Sequence, residues 1–314
     1  MSVMQVGIGL PNQVGGVDGP TLLEFARRAE RHQFSTVYVN DRLVWSSYEP
    51  LSVLVAVAGV TASIGLTGVV VAPLRANHAL FASTIASVDG LAGPGRLRVA
   101  LATGVRSDEF DRSGLDFADR GRQLDALVAE LRRSWGPDSD VGPRPATPGG
   151  PPLLFAATSA PALRRIVGAG QGWLANPGID EFRRFVPLLL KRWAGAGRAG
   201  VPYCGGTHRY ALGPEAEKTM KRVTREFFHF ASAALTEQMI ADTATSDSAI
   251  RAVVAEYKAA GCDELIFLCQ HTDPDQVDRL ASALNQTCPA RPSHLGGPGR
   301  REHDPGRHRR GQRP

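Results

Sequence analysis

Lysine is scarce in this chain: four in 314 residues, at Lys191, Lys218, Lys221 and Lys258, all inside stretches with a helical pattern. A Schiff-base mechanism therefore lacks a nucleophile at a strand end. Cysteine is as sparse, and Cys204, Cys262, Cys269 and Cys288 lie far apart with no CxxC pair. Reduced thiols in a cytoplasmic protein are the expectation. His32, His78, His208, His229 and His271 show neither HxH nor HExxH spacing and join no carboxylate cluster, so no metal site is expected. GxSxG and GxxxxGK[ST] are missing, which argues against hydrolase-elbow and P-loop chemistry. No basic stretch followed by an apolar run opens the chain, so no secretory signal is evident.

Charge is missing in two informative ways. The net charge of +5 belongs to residues 286–314, which hold seven arginines and two acids; the remainder carries 29 basic and 29 acidic groups. A neutral body gives no field for nucleic acid. The Pro-, Gly- and Arg-rich tail, 286–314, has almost nothing apolar to pack and is expected to be disordered. Residues 50–74 contain no charge at all, a length that spans a bilayer. Thr61, Ser63, Gly65 and Thr67 interrupt the stretch before Val69-Val70-Val71. A buried helix (51–61) feeding a buried parallel strand explains it better than a membrane span.

What is present is an alternation. Apolar strand-like runs occur at 3–11, 35–42, 64–73, 96–102, 153–157, 172–175, 209–212 and 264–269. Amphipathic helix patterns follow them, the first opened by Asp18-Gly19-Pro20 and a long one expected over 214–244. Residues 136–152 read as a Pro/Gly linker between two halves. Eight strands alternating with helices predict an α/β (β/α)8 TIM barrel over 1–285, with chemistry at the C-terminal strand ends. A doubly wound sheet is the alternative, but Gly7-Ile8-Gly9-Leu10-Pro11 lacks the third glycine of a dinucleotide fingerprint. Two strand ends are rich in small and hydroxyl residues: Thr103-Gly104-Val105, and Ala156-Ala157-Thr158-Ser159, which runs straight into a helix. Such ends suit a flat or phosphorylated ligand, with Ser159 alternatively a plain helix cap.

The segments GIGLPN (7–12), VYVNDRLVWSSYEPL (37–51), GLTGVVVAPLRANHALFAST (65–84), GRLRVALATGVRSDEF (95–110) and GPRPATPGGPPLLFAATSAPALRRIVGAGQGWL (142–174) together resemble the luciferase-like flavin-dependent oxidoreductases. That family includes bacterial luciferase-like monooxygenases and deazaflavin-dependent members. The resemblance implies reduced FMN at the barrel mouth, its ring over the third strand near Gly68, Val69 and Ala72. Its phosphate would lie between the fourth and fifth strand ends, at Thr103, Gly104, Val105, Ala157, Thr158 and Ser159, with Arg106 nearby. A non-prolyl cis peptide near Gly68-Val69-Val70 is implied as well. Many relatives have Gly-Gly where this chain has Ala156-Ala157, and a histidine where it has Asn40-Asp41-Arg42.

By the same resemblance, Asp41 orients flavin or substrate or handles a proton, unless it forms a structural ion pair with Arg42 at the rim. His271, after the eighth strand, is a second candidate acid or base. Asn12, Arg42, Trp45 and Tyr48 are candidates for the substrate side, although Trp45 and Tyr48 would serve equally as an aromatic plug. The function implied is oxygenation of a small organic substrate by reduced FMN and oxygen, the flavin being supplied by a separate reductase. The alternatives are a hydride-transferring reductase using the deazaflavin coenzyme F-420, for whose polyglutamate tail the neutral body offers no extra basic patch, and a flavin-binding barrel without turnover. A homodimer is a further expectation.

Overall fold

The computed structural model describes residues 3–175 and 178–285; the tail expected to be disordered lies outside them. Strands and helices alternate as β1 (Gln5–Gly9), α1 (Gly19–Arg31), β2 (Thr36–Val39), α2 (Pro50–Ala58), β3 (Gly65–Val71), α3 (His78–Ala92) and β4 (Leu97–Ala102). They continue as α4 (Ser107–Arg112), α5 (Arg120–Ser134), β5 (Leu153–Ala156), α6 (Ala160–Ala169), β6 (Gly172–Ala175), α7 (Ile179–Gly195) and β7 (Tyr203–Tyr210). Last come α8 (Ala216–Phe227), α9 (Ala233–Ala241), α10 (Asp247–Ala259), β8 (Glu264–Cys269) and α11 (Asp275–Asn285). The strands pair in parallel in chain order, and β1 closes on β8 from Gln5 opposite Glu264 to Gly9 opposite Leu268. This is the (β/α)8 barrel.

The local chemistry accounts for the elements. Asp18 caps α1 by accepting from the Thr21 N–H at 2.9 Å, and Pro20 sits in the first turn. Leu22, Phe25, Ala26 and Ala29 form the face of α1 turned to the barrel. The uncharged stretch is α2 followed by β3, and no described helix is long and apolar enough to cross a membrane. A Cβ at Gly68 would come within 3.0 Å of Leu54 Cδ1, so glycine lets α2 settle close on β3.

Three expectations change. The seventh strand is Tyr203–Tyr210 rather than 209–212. Gly205 and Gly206 mask its strand character, yet both are needed there: a Cβ would meet Leu174 Cδ1 at 2.7 Å and the Tyr257 ring at 2.5 Å, respectively. The helix expected over 214–244 breaks into α8 and α9 around Phe228–Ala231, with Ser232 capping α9. The non-prolyl cis peptide expected in β3 is not found; β3 pairs residue by residue with β4 from Leu66 to Val71, and the only cis peptide among the described residues is Gly142–Pro143. The 136–152 stretch packs against the barrel, with Thr147 bonded to both Asp89 carboxylate oxygens at 2.6 and 2.8 Å.

The barrel lumen is layered. Its middle is an apolar band of Tyr38, Val69, Ala100, Leu154, Leu174 and Ile266. Below it, at the N-terminal ends of the strands, Glu264 accepts from Tyr203 Oη at 2.6 Å, from Arg98 Nη2 at 2.5 Å and from Ser35 Oγ. Thr36 and Thr67 hydroxyls join at 2.9 Å in the same region. Removing one member of such a buried pair strands the other charge.

Glu264→Ala should therefore cost about 3–5 kcal/mol in urea unfolding, and the double change Arg98→Met/Glu264→Met should recover most of it. Equal losses in the two variants would show that the charges are not coupled. A second outcome concerns His208, which faces outward from β7 between Tyr257 and Phe267. Burial, helped by the charge of Arg209, lowers its pKa from 6.5 to about 4. Between those two values the unfolded chain binds the proton and the folded chain does not, so stability rises with pH across the window. The melting temperature should fall as pH drops from 6.5 towards 4, and His208→Phe should flatten that part of the curve.

Candidate active site at the barrel mouth

Two cavities open on the C-terminal face, where the loops after parallel strands converge. The larger, about 440 Å³, lies over the apolar band and is lined by Gln13, Tyr38, Arg42, Ala157, Thr158 and Phe228, among others. Arg209 of β7 enters it from the lumen side, beside Met239 Sδ at 3.0 Å and with its guanidinium 4.8 Å from the Phe228 ring centre. Burial lowers the Arg209 guanidinium to about 10, against opposing pulls from Tyr38 and Asp242. Burial also holds the Tyr38 hydroxyl well above its ordinary value, so it is protonated at neutral pH and available as a donor.

The second cavity, about 270 Å³, is a cleft between the ends of β4 and β5 and the helices α5 and α6. Thr103, Ser159, Arg120 and Arg165 contribute its polar edge. Ser159 Oγ accepts from the Ala162 N–H at 3.3 Å, so it caps α6 and borders the cleft at once. Arg165 is held by Asp125 at 2.6 and 2.9 Å and by the Gly121 carbonyl at 3.0 Å. Ala156 and Ala157 line both cavities and form their common wall.

The candidates from the sequence divide between these cavities and their supports. Arg42, Val69, Val105, Ala157 and Thr158 line the mouth cavity; Thr103, Ala157 and Ser159 line the cleft. Gly68 faces α2, and Ala72 is buried in the outer core. Gly104 has φ +81° and is wedged where a Cβ would meet Val71 at 2.8 Å and Phe110 at 2.9 Å, so its part is to turn the chain after β4. Asn12 Nδ2 donates to the Asn40 carbonyl at 2.7 Å, tying the loops after β1 and β2. Trp45 donates to the Gln13 carbonyl at 2.9 Å and stacks on His229 at 5.8 Å. It braces the segment after α8, while Tyr48 is exposed and lines neither cavity. His271 lines neither as well: its Nδ1 accepts from the Asp273 N–H at 2.9 Å.

The Asp41–Arg42 pair does not form. Asp41 Oδ2 accepts from Arg75 Nη2 and from the Val71 N–H, both at 2.8 Å, which anchors the end of β3. Burial nevertheless pushes its carboxyl above the usual range, opposed by Arg75 and the Val71 N–H. Arg42 turns instead to Glu109, a fully buried carboxylate that takes Arg42 Nη1 at 3.3 Å and the Leu43 N–H at 3.0 Å. Arg106 is bound to Asp108 and lies away from the cleft it was expected to serve.

Tyr38, Arg209, Glu109 and the Phe227–Phe228–His229–Phe230 run were not singled out from the sequence. Alternation along β7 would have turned Thr207 and Arg209 inward, had its start been placed at Tyr203.

The fold is an all-parallel (β/α)8 barrel with an apolar-floored cavity at its C-terminal face, the face on which barrel enzymes carry their sites. The chain belongs to the luciferase-like monooxygenase family, whose model matches residues 4–272. It is 28% identical over 221 residues to Uncharacterized protein Rv0953c of Mycobacterium tuberculosis, covering 59% of this chain and 77% of that one. It is 30% identical over 217 residues to the F420-dependent hydroxymycolic acid dehydrogenase of the same species, covering 62% of this chain and 58% of that one. Among solved structures its fold resembles monooxygenase RslO1 from Streptomyces bottropensis, with a TM-score of 0.75, 17% identity, and coverage of 90% and 98%.

Asp41→Ala should lower unfolding stability by about 2–4 kcal/mol, because the Val71 N–H and Arg75 lose their acceptor together. Asp41→Asn, which keeps an acceptor for Val71, should cost less than half as much. Indistinguishable denaturation curves for the wild type and both variants would remove Asp41 from its anchoring role.

Proposed function

We propose that this chain is an oxidoreductase that holds reduced FMN at the barrel mouth and, with oxygen, oxygenates a small organic substrate. The observation that carries the reading is the shared wall of Ala156 and Ala157 between an apolar-floored cavity and a cleft at a helix N-terminus. A flat ring with a phosphorylated side chain has that two-part shape. Tyr38, Val69, Ala157 and Thr158 would border the ring; Thr103, Ser159 and Arg165, at the positive end of the α6 dipole, would meet the phosphate. A reduced flavin supplies two electrons to an acceptor when bound. The protein's own work is to seat the ligand, to exclude water with the apolar band, and to keep the Tyr38 proton and the Arg209 charge facing the cavity.

A second reading, hydride transfer through a deazaflavin, is favoured by a different observation. The cleft adjoins a depression of about 360 Å³ where Arg132, Arg164 and Arg165 outnumber the one acid, Asp125, which pairs with Arg165. Overall neutrality conceals this local basic strip, which suits a polyanionic tail. The relative with an F420-dependent activity in its name points the same way.

Titration with FMN, reduced FMN, riboflavin and the deazaflavin separates the readings. Tighter binding of the deazaflavin would transfer the proposal to hydride chemistry, and no binding below about millimolar by any of them would end both readings. Ser159→Asp places a negative charge against the phosphate. It should weaken FMN by about tenfold or more while leaving riboflavin nearly unaffected. An equal loss for both flavins would mean that the cleft does not hold the phosphate.

A further inference from the structure

Arg42 and Arg106 reach the rim of the mouth from the loops after β2 and β4, and both lie against one ring. Their guanidinium carbons are 5.2 and 4.5 Å from the centre of Phe230. Each already has a carboxylate: Glu109 for Arg42, and Asp108 for Arg106 through Nε at 2.9 Å and through Nη2. Each nevertheless keeps one buried donor with no partner, Arg42 Nε and Arg106 Nη1. Arg106 as a whole is only 5% exposed. A buried N–H left unpaired is costly, more so on a charged group, and a packing role alone would be met at less cost by leucine or methionine.

The surroundings narrow what these donors are for. Leu43 beside Arg42, Val105 beside Arg106 and Phe230 against both stand 39–72% exposed on three different loops, forming an apolar collar. Asp108 is half exposed, so its hold on Arg106 is screened by water. Burial, and after it the opposing charge balance of Glu109 and Arg106, leaves the Arg42 guanidinium below its ordinary value, so a further anion beside it is welcome. Nearby cations within an apolar collar match an acid group carried on an apolar body.

We propose that Arg42 and Arg106 form a carboxylate-binding subsite at the barrel mouth, roofed by the Phe230 ring, that selects substrates in which an acid group is joined to an apolar body. The subsite rests on the reading that a substrate is held at this mouth beside a flavin. Arg42 Nε and Arg106 Nη1 donate to the carboxylate oxygens, Phe230 swings from between them, and the apolar body lies on the collar. No bond to the substrate is made or broken there; the pair fixes which end of the molecule points away from the barrel.

The probes are 4-phenylbutyrate and its neutral isostere 4-phenylbutyramide, measured by calorimetry on the full chain. The acid should bind about tenfold more tightly than the amide, the range of one charge-assisted pair. Arg106→Gln should bring the acid down to the affinity of the amide and leave the amide unchanged. Asp108→Asn, on an exposed side chain, should move the acid the other way, strengthening it by about threefold because a competing carboxylate is gone. Equal affinities for acid and amide in the wild type, no binding of either probe in the millimolar range, or variants that shift both probes alike, would overturn the subsite. If Arg106→Gln does not fold, the sign of the Asp108→Asn shift decides alone. Flavin titration of the same samples keeps the two readings apart. Flavin binding without acid preference removes the subsite only, whereas acid preference without flavin binding removes the cofactor reading only.

Discussion

Glu264 is the knot at the base of the barrel. From the first position of β8 it draws in Ser35 ahead of β2, Arg98 of β4 and Tyr203 of β7, so a single carboxylate ties four parts of the wall across the lumen. Parallel strands have no hairpins to set their register, and each neighbour is reached only through a long crossover. A polar group that finds its partners in only one register supplies part of that specification. It is also costly if any partner is missing, which is why the interaction sits where the chain never needs to move.

Above the knot the chemistry changes by layers. The apolar band gives a dry floor, and at the mouth buried hydrogen bonds anchor the loops. Glu109 fixes Arg42 and the Leu43 backbone, Asp41 fixes Arg75 and the end of β3, and Asn12 ties two loops together. The loops that border the two cavities therefore rest on buried hydrogen bonds, although their tips carry exposed apolar side chains. Rigid support beneath and adaptable contact above suits the binding role proposed for the mouth.

The alternation of strands and helices was legible because buried parallel strands read as β-branched runs, as Val69-Val70-Val71 does, and because Asp18 and Pro20 mark a helix start. Residues 203–208 were not legible. Gly205 and Gly206 lower strand propensity, and only the neighbouring Leu174 and Tyr257 reveal why glycine is there. Losing the start of β7 hid Arg209, since inward and outward positions cannot be assigned without a register. The mouth and cleft residues at the ends of β4 and β5 were found from small and hydroxyl side chains next to a helix start. The partners of Asp41 and Arg42 were not, because ion pairs between loops 30–70 residues apart leave no periodic trace. Net neutrality is silent in the same way: a sum over the body says nothing of how Arg132, Arg164, Arg165 and Asp125 are gathered along one groove.

The stoppered base has a consequence for traffic. With Arg98, Tyr203 and Glu264 knotted below and six large and small apolar side chains filling the middle, the tube has no rear door. Whatever reaches the floor must come through the rim and leave through it, past Arg42, Phe228 and Phe230. Were two ligands to share that passage, as the proposed function requires, they could not exchange independently: the one seated deepest would be the first to arrive and the last to depart. The order of exchange under that proposal would thus be set by a plug on the opposite side of the barrel.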